Sequence, residues 1–113
     1  MKVAITGGSG KTGYRIAEES LKTGYETKII VRKGSILNKS LEGRNIQRIN
    51  FESNSELEDA LKGNDCLIIA TGARPSIDLL GPLKIDALNV INQIKCAESV
   101  GVKRIILVTN CLI

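Results

Sequence analysis

The stretch that decides the fold covers residues 2–13 and reads Lys2-Val3-Ala4-Ile5-Thr6-Gly7-Gly8-Ser9-Gly10-Lys11-Thr12-Gly13. Its first five residues form a short, apolar, β-prone run, which predicts a strand that ends at Thr6. From Lys11 to Thr23 the apolar residues recur at helical spacing, which predicts a helix. The glycines between them therefore lie in a loop where a strand leads directly into a helix.

A glycine loop at such a junction suits a pyrophosphate. The first free amides of a helix point outward and the helix dipole favours an anion, so a diphosphate is held with little help from side chains. One glycine permits the tight turn, one leaves room for the ligand, and one lets helix and strand pack closely. The loop predicts dinucleotide binding, and the alternative is a tight turn that binds nothing. The spacing Gly7-x-x-Gly10-x-x-Gly13 differs from the general Gly-x-Gly-x-x-Gly pattern and indicates a subfamily.

The rest of the chain continues the alternation of strands and helices. Further strands are predicted at 27–31, 45–51, 66–70 and 104–109, and further helices at 55–61 and 83–99. In the shorter helix, Ser55 and Glu58 match a capping box and Gly63 supplies the end.

This order of elements is typical of a doubly wound parallel sheet with right-handed crossovers. We predict a single α/β domain of the Rossmann type over residues 1–113, with five strands in the order 3-2-1-4-5. In this topology a ligand lies at the carboxyl ends of the strands, where the order reverses between the first and fourth strands. The loops at 7–13 and 71–74 are expected to meet there.

Composition narrows the function classes. The 113 residues carry 16 lysines and arginines against 12 acidic residues, a net charge of +4 without any block of like charge. Two tyrosines and one phenylalanine offer little material for stacking nucleic-acid bases, so no nucleic-acid partner is predicted. The absence of histidine removes the commonest metal ligand and general base, and no metal site is predicted.

The cysteines and the apolar segments bear on the compartment. Cys66, Cys96 and Cys111 are widely spaced in apolar segments, which fits reduced structural thiols in a reducing compartment. No apolar run approaches membrane-spanning length, and a first strand that begins at residue 2 leaves no room for a signal or transit peptide. The expected location is cytoplasmic, or the plastid stroma if the gene is plastid-encoded.

The end of the second predicted strand bears on the choice of dinucleotide. An acidic residue there takes the ribose 2′-hydroxyl of NAD, and a basic residue takes the 2′-phosphate of NADP. This chain offers Arg32, Lys33 and Ser35 with no acid nearby. Because a planar guanidinium suits a phosphate, NADP is favoured over NAD. The alternative for Arg32 is an ordinary solvated charge, and Lys11 in the glycine loop has the same two interpretations.

The loop after the fourth predicted strand is the second half of the expected site. Gly72 has no side chain to obstruct an approach of the backbone to the cofactor ribose. Ala70 and Thr71 lead into it, and Arg74 faces either the cofactor or water. The alternative is a plain turn at the end of a strand.

Four segments together carry a family resemblance: residues 6–13, Val31-Arg32, Ala70-Thr71-Gly72-Ala73-Arg74-Pro75-Ser76, and Ile106-Leu107-Val108-Thr109. With them the chain resembles, over nearly its whole length, the atypical short-chain dehydrogenase/reductases of the NmrA-like type. The resemblance is strongest to cyanobacterial and plastid members, such as the dehydrogenase-like subunit of the chloroplast inner-envelope translocon. It implies NADP(H) as the cofactor and places Asn50 where many relatives have an aspartate near the adenine. The expected cofactor contacts are Gly7, Ser9, Gly10, Lys11, Thr12, Gly13, Arg32, Asn50, Ala70, Thr71, Gly72 and Arg74.

The departures from that family concern catalysis. Family reductases use a serine or threonine near the end of the fifth strand together with a Tyr-x-x-x-Lys pair on the next helix. This chain has Thr109-Asn110 at the strand position, but neither of its tyrosines has a lysine four residues on. No catalytic residue is therefore predicted, and the strands that full family domains add after the fifth are expected to be absent.

Two functions remain open at this point. The chain is either the NADP(H)-binding portion of an oxidoreductase, or a non-catalytic NADP(H)-sensing or assembly module docked in a larger complex. The apolar fifth strand and the long helix favour a protein partner or a homo-oligomer that covers them. The stripe of that helix expected to face the sheet is Ala87, Val90, Ile91, Ile94 and Ala97, and the opposite stripe is Ile85, Leu88 and Cys96.

Overall fold

The computed structural model describes residues 1–7, 11–37, 39–41, 43–70 and 82–108. Strands and helices alternate along the chain in the predicted order. The strands are β1 (Lys2–Thr6), β2 (Glu26–Arg32), β3 (Ile46–Ile49), β4 (Cys66–Ile69) and β5 (Arg104–Leu107). The helices are α1 (Lys11–Thr23), α2 (Asn54–Leu61) and α3 (Pro82–Ser99), and a 3₁₀ turn at Lys39–Leu41 precedes β3.

All five strands run parallel in one sheet, in the order β3-β2-β1-β4-β5. The predicted fold class and strand order are confirmed. β1 lies at the centre, where Thr6 pairs with Ile30 of β2 on one side and with Ile69 of β4 on the other. Because parallel strands all end at one edge of a sheet, the last residues of the strands form a common border, which we call the carboxyl edge.

Apolar side chains cover both faces of this sheet. Successive residues of a strand point to opposite faces, so Val3 and Ile5 of β1 belong to the core under α1, whereas Ala4 belongs to the core under α2 and α3. The segments between β1 and β3 thus cover one face, and those between β3 and β5 cover the other. This is the doubly wound arrangement, and burial of these two apolar layers is its main source of stability.

The N-cap of α2 lies two residues earlier than predicted. Ser53 has extended backbone angles (φ −91°, ψ 108°), and its hydroxyl accepts a hydrogen bond of 3.3 Å from the backbone N–H of Glu56. Ser53 is therefore the N-cap, and Ser55 lies inside the first turn. The proposed capping box at Ser55 and Glu58 was wrong because Ser53 and Glu56 offer the same spacing two residues earlier.

The orientation of α3 also differs from the prediction. Val90, Ile94 and Ala97 pack on the core as expected, but Ile91 is 48% exposed and Cys96 is buried. The reason is a polar residue, Gln93, which is fully buried. Counting only apolar positions shifted the predicted stripe around the helix, because the buried face includes this amide.

Candidate functional site

The carboxyl edge contains the topological switch point of the sheet. From β1 the chain moves outward to β2, and from β4 it moves outward in the opposite direction to β5. Open α/β sheets bind ligands beyond the strand ends at such a point, which here means the ends of β1 and β4. At this point the backbone N–H of Ala70 donates to the carbonyl of Thr6 at 3.0 Å. The two strand ends are thus held together at the switch point.

The connection from β1 to α1 begins with a glycine in a left-handed conformation. Gly7 follows the last residue of β1 with φ +83°, a left-handed conformation that side-chain-bearing residues rarely adopt. The helix begins only four residues later, at Lys11. The first turn of α1 therefore points its free amides toward the carboxyl edge.

Other residues of the predicted glycine loop are described only in part. Gly13 is buried in the first turn of α1. Lys11 and Thr12 belong to the first turn of the helix by their backbone. The predictions for Gly8, Ser9 and Gly10 fall outside the described residues.

A buried hydrogen bond that the sequence analysis missed anchors this junction. The hydroxyl of Thr6 donates to the side-chain oxygen of Gln93 at 2.7 Å, and both side chains are fully buried. Thr6 is the residue directly before Gly7, and Gln93 lies near the middle of α3. The signal that could have found Gln93 is a polar residue at a core-facing position of an otherwise apolar helix face.

Two basic residues at the end of β2 behave differently. Arg32 is exposed, and its guanidinium carbon lies 5.2 Å from the centre of the Phe51 ring. The ammonium group of Lys33 instead lies 3.3 Å from a carboxylate oxygen of Glu56 on α2. Among the described residues, no carboxylate lies within ion-pairing distance of Arg32. Arg32 is therefore the better placed of the two to meet an anionic ligand.

Asn50 follows β3 and takes part in the turn that leads to α2. Its side-chain oxygen accepts a hydrogen bond of 3.0 Å from the backbone N–H of Glu52, which is an Asx turn. Its carbonyl accepts from the backbone N–H of Ser53 at 3.0 Å. The structure thus shows a local role for Asn50 at the carboxyl edge, beside its predicted contact with the adenine.

A cleft of about 280 Å³ opens beside this turn. Its walls come from the ends of β2 and β3 and from the outer side of α3. Asn92 on α3 donates to Asn54 of α2 at 2.8 Å, which ties the two helices together at the cleft. The lining residues are Arg32, Phe51, Glu52, Leu88, Asn89 and Asn92. The predictions for Thr71, Gly72 and Arg74 fall outside the described residues.

A wider groove of about 660 Å³ lies on the face of the sheet that α1 covers. It runs between α1 and the exposed side of β4 and β5, and Met1 and Tyr25 mark its end near the start of the strands. Ile16, Ile68 and Ile106 make much of its surface apolar. It extends as far as Ile68 and Ile106, each one residue before the end of its strand.

The two described cysteines are buried free thiols. Burial raises the pKa of Cys66, although the nearby Arg104 lowers it in part. Burial also raises the pKa of Cys96, and the charge of Glu58 adds to that effect. Both thiols are therefore protonated at neutral pH and are poor nucleophiles. Cys111 falls outside the described residues.

Within the described part of the chain, no group of three Cys, Asp or Glu side chains is arranged to hold a metal ion. None of the helices in that same part combines the length and the apolar character needed to cross a bilayer.

Comparison with known proteins identifies the family. A family model described as NAD(P)H-binding matches residues 7–113. The chain belongs to this family. The match begins at the glycine turn and includes every element from α1 to β5, so a nicotinamide dinucleotide is the cofactor class of the family fold.

Two proteins of Arabidopsis thaliana are similar in sequence to this chain. The uncharacterised chloroplastic protein At2g34460 is 31% identical over 99% of this chain and 42% of its own length. Protein TIC 62, also chloroplastic, is 28% identical over 96% of this chain and 20% of its own length. The predicted resemblance to an NAD(P)-binding family with plastid members is confirmed. This chain spans less than half of either relative.

Among solved structures, the UDP-glucose 4-epimerase of Thermus thermophilus in complex with NAD is similar with a TM-score of 0.74. The similarity covers 93% of this chain and 36% of the epimerase, at 20% sequence identity. At that identity the likeness shows the fold alone. It supports the Rossmann-like architecture of this member of the NAD(P)H-binding family.

Proposed function

We propose that the chain holds NADP(H) at the carboxyl edge and forms the cofactor-binding portion of an oxidoreductase of the short-chain dehydrogenase/reductase type. The observation that carries this proposal is the glycine turn at the switch point, with Gly7 at φ +83° between β1 and the start of α1. The whole of residues 1–113 acts as one dinucleotide-binding domain. The residues that direct hydride transfer belong to a larger protein. Both relatives are longer than this chain.

The proposed contacts follow the course of an extended dinucleotide across the edge. The amides at the start of α1 take the diphosphate, Arg32 takes the 2′-phosphate, and Asn50 lies near the adenine. The segment after β4 takes the ribose. The residues proposed to contact the cofactor are Gly7, Ser9, Gly10, Lys11, Thr12, Gly13, Arg32, Asn50, Ala70, Thr71, Gly72 and Arg74.

The preference for NADP(H) over NAD(H) is supported by the charges at the end of β2. Arg32 is exposed there, and a guanidinium offers paired N–H donors that match a phosphate. Lys33 is engaged with Glu56 in an exposed ion pair, which contributes about 0–1 kcal/mol at most. That pair is weak enough to open if the phosphate attracts Lys33 as well.

The test is a titration of the purified chain with NADPH and with NADH, followed by calorimetry. We expect NADPH to bind more tightly. Substitution Arg32→Gln should weaken NADPH binding about tenfold or more, since a hydrogen bond to a charged group contributes about 1.5–3 kcal/mol, and should leave NADH unchanged. Arg104→Gln is the matched control, because Arg104 is an exposed arginine at the start of β5. Equal binding of both dinucleotides, or binding of neither, would overturn the proposal.

The isolated chain is expected to bind NADPH without turnover. Its two tyrosines, Tyr14 and Tyr25, are followed four residues on by Glu18 and Ile29, so the Tyr-x-x-x-Lys pair of family reductases is missing from its sequence. A tyrosine at that position transfers the proton that accompanies hydride transfer. Oxidation of NADPH by this chain alone, with any small carbonyl compound, would contradict the expectation.

A second candidate function is a non-catalytic NADP(H)-sensing or assembly module docked in a larger complex. It is favoured by apolar side chains left exposed on α3 and β5: Leu88 is 58% exposed, and Ile106 and Leu107 are 43% and 46% exposed. A protein partner or a second copy that covers them would lower this exposed area. Sedimentation over a range of concentrations tests the self-association, and a monomer at high concentration that recovers no partner would count against this candidate.

The proposed location is the cytoplasm, or the plastid stroma for a plastid-encoded gene. The two relatives named chloroplastic support the second of these. Fractionation of the source cells with an antibody against the chain tests it, and recovery with membranes would contradict both.

A further inference from the structure

The ring of Phe51 forms a fixed platform under the guanidinium of Arg32. The distance from the guanidinium carbon to the ring centre is 5.2 Å, within the range of a cation–π contact. Phe51 is 3% exposed and belongs to the core cluster under α2 and α3, together with Leu57 and Ala60. Arg32, in contrast, is exposed. An exposed charged group therefore rests on a buried aromatic group.

This contact restricts the arginine without using its hydrogen-bond donors. A guanidinium stacks on an aromatic ring through its flat face, whereas its N–H groups point outward in the plane. Those N–H groups are the ones that bind a phosphate in a bidentate manner. An arginine already held against a ring loses less side-chain freedom when a phosphate arrives.

The surroundings of Arg32 single it out for this role. The neighbouring cation, Lys33, lies 3.3 Å from a carboxylate of Glu56 and is directed toward α2. Arg32 and Phe51 both line the cleft of about 280 Å³ at the carboxyl edge. The Phe51 ring thus holds the Arg32 guanidinium at the border of the cleft. In the sheet, Arg32 pairs with Ile49, the last residue of β3.

We propose that Phe51 is a positioning residue that sets the selectivity of this site for a 2′-phosphorylated dinucleotide, by holding Arg32 ready for the phosphate. This inference rests on the proposed function and adds a residue to it. Phe51 need not touch the cofactor, and it acts through Arg32.

The test compares Phe51→Leu, which keeps an apolar side chain but removes the ring, with Phe51→Tyr, which keeps the ring. The measured quantity is the ratio of the Kd for NADH to the Kd for NADPH. We expect Phe51→Leu to lower this ratio about two- to fivefold, the range that corresponds to an exposed cation–π contact. Phe51→Tyr should retain the ratio of the original chain.

A second comparison separates positioning from a general structural role. In a chain that already carries Arg32→Gln, the change Phe51→Leu should leave the ratio unaltered, because no guanidinium remains to be held. Circular dichroism and thermal unfolding establish that each variant is folded. If Phe51→Leu does not fold, Phe51→Met takes its place, since methionine fills the space with a flexible apolar side chain.

The outcomes distinguish this inference from the proposed function. Equal binding of NADPH and NADH by the unaltered chain would overturn the proposed function and this inference with it. If the preference for NADPH over NADH disappears in Arg32→Gln but is unchanged in Phe51→Leu, the role of Phe51 is overturned and the proposed function is not. A change that weakens both dinucleotides equally would also overturn it, because it would show a structural effect without selectivity.

Discussion

The hydroxyl of Thr6 and the side-chain oxygen of Gln93 lie 2.7 Å apart in the interior of the protein, although 87 positions separate them in sequence. This bond joins the end of the central strand to α3, one residue before the glycine turn. A buried polar pair of this kind is directional, whereas the apolar contacts around it are not. It therefore fixes where the end of β1 sits relative to α3.

Removal of the Thr6 hydroxyl is the first prediction. Thr6→Val keeps the shape of the side chain but removes the donor, and we expect the free energy of unfolding to fall by about 1–3 kcal/mol. NADPH binding should weaken a few-fold, because the strand end that carries the glycine turn is less firmly held. Urea unfolding and calorimetric titration measure the two effects.

The matched control for this change is Thr27→Val. Thr27 is also buried, and its hydroxyl shares a hydrogen bond of 2.7 Å with that of Ser20. It lies near the start of β2, at the opposite end of the sheet from the glycine turn. A similar loss of stability without a loss of NADPH affinity is expected. Equal weakening of NADPH binding in both variants would argue against a specific role for Thr6.

A second prediction concerns two glycines with the same backbone angle. Gly7 and Gly63 both have φ +83°, and a Cβ built on Gly63 would meet no atom within 4 Å. Gly63→Ala should therefore cost only the strain of a left-handed residue, about 1–2 kcal/mol of stability. Gly7→Ala should carry a comparable strain and, in addition, weaken NADPH binding about tenfold or more by disturbing the turn under the diphosphate. A Gly7→Ala variant that binds like the Gly63→Ala variant would contradict the proposed site.

A third prediction tests the revised start of α2. Ser53→Ala removes the oxygen that accepts from the Glu56 N–H, and we expect a loss of about 1 kcal/mol in the free energy of unfolding. Ser55→Ala lies inside the helix and should be neutral or slightly stabilising, since alanine has the higher helix propensity. If Ser55→Ala instead lowers the free energy of unfolding more than Ser53→Ala does, Ser55 is the cap.

These particulars show which parts of the structure the sequence could predict. The strand order follows from alternating strands and helices and from right-handed crossovers, and it needed no knowledge of individual contacts. The cap of α2 was misplaced because two overlapping serine and glutamate pairs have the same spacing, and the pattern alone does not show that Ser53 accepts from the Glu56 N–H. A local sequence pattern predicts the type of element more reliably than it predicts the residue at which the element begins.

The sequence predicts a candidate site at the carboxyl edge, but it does not reveal the contacts that support the residues there. The glycine turn and Arg32 stand out in the sequence because their chemistry suits a ligand. Gln93 and Phe51 do not, since one is a polar residue in a helix and the other a single aromatic residue after a strand. Their roles come from partners that are distant in sequence, Thr6 for one and Arg32 for the other. Periodicity carries no information about such pairs.

The last prediction concerns the pH dependence of stability. Burial raises the pKa of both Cys66 and Cys96, so each thiol holds its proton more tightly in the folded chain than in the unfolded chain. Their contribution to stability is therefore fully present below the ordinary thiol pKa of about 8.5 and is lost as the pH rises through the higher pKa of the folded state. Urea unfolding at about pH 7.5 and pH 9.5, with a reductant present, should show a fall in the free energy of unfolding.

Lysines and tyrosines also titrate in this range, so the fall must be compared with that of a double variant, Cys66→Ala with Cys96→Ala. Both proteins keep Cys111 and every lysine and tyrosine, and the difference between their two falls isolates the buried thiols. The double variant has a lower free energy of unfolding at the lower pH because it lacks the buried sulfur atoms. Its free energy of unfolding should, however, fall less between the lower and the higher pH. An identical fall in the two proteins would mean that these thiols have the same pKa in the folded and unfolded chains.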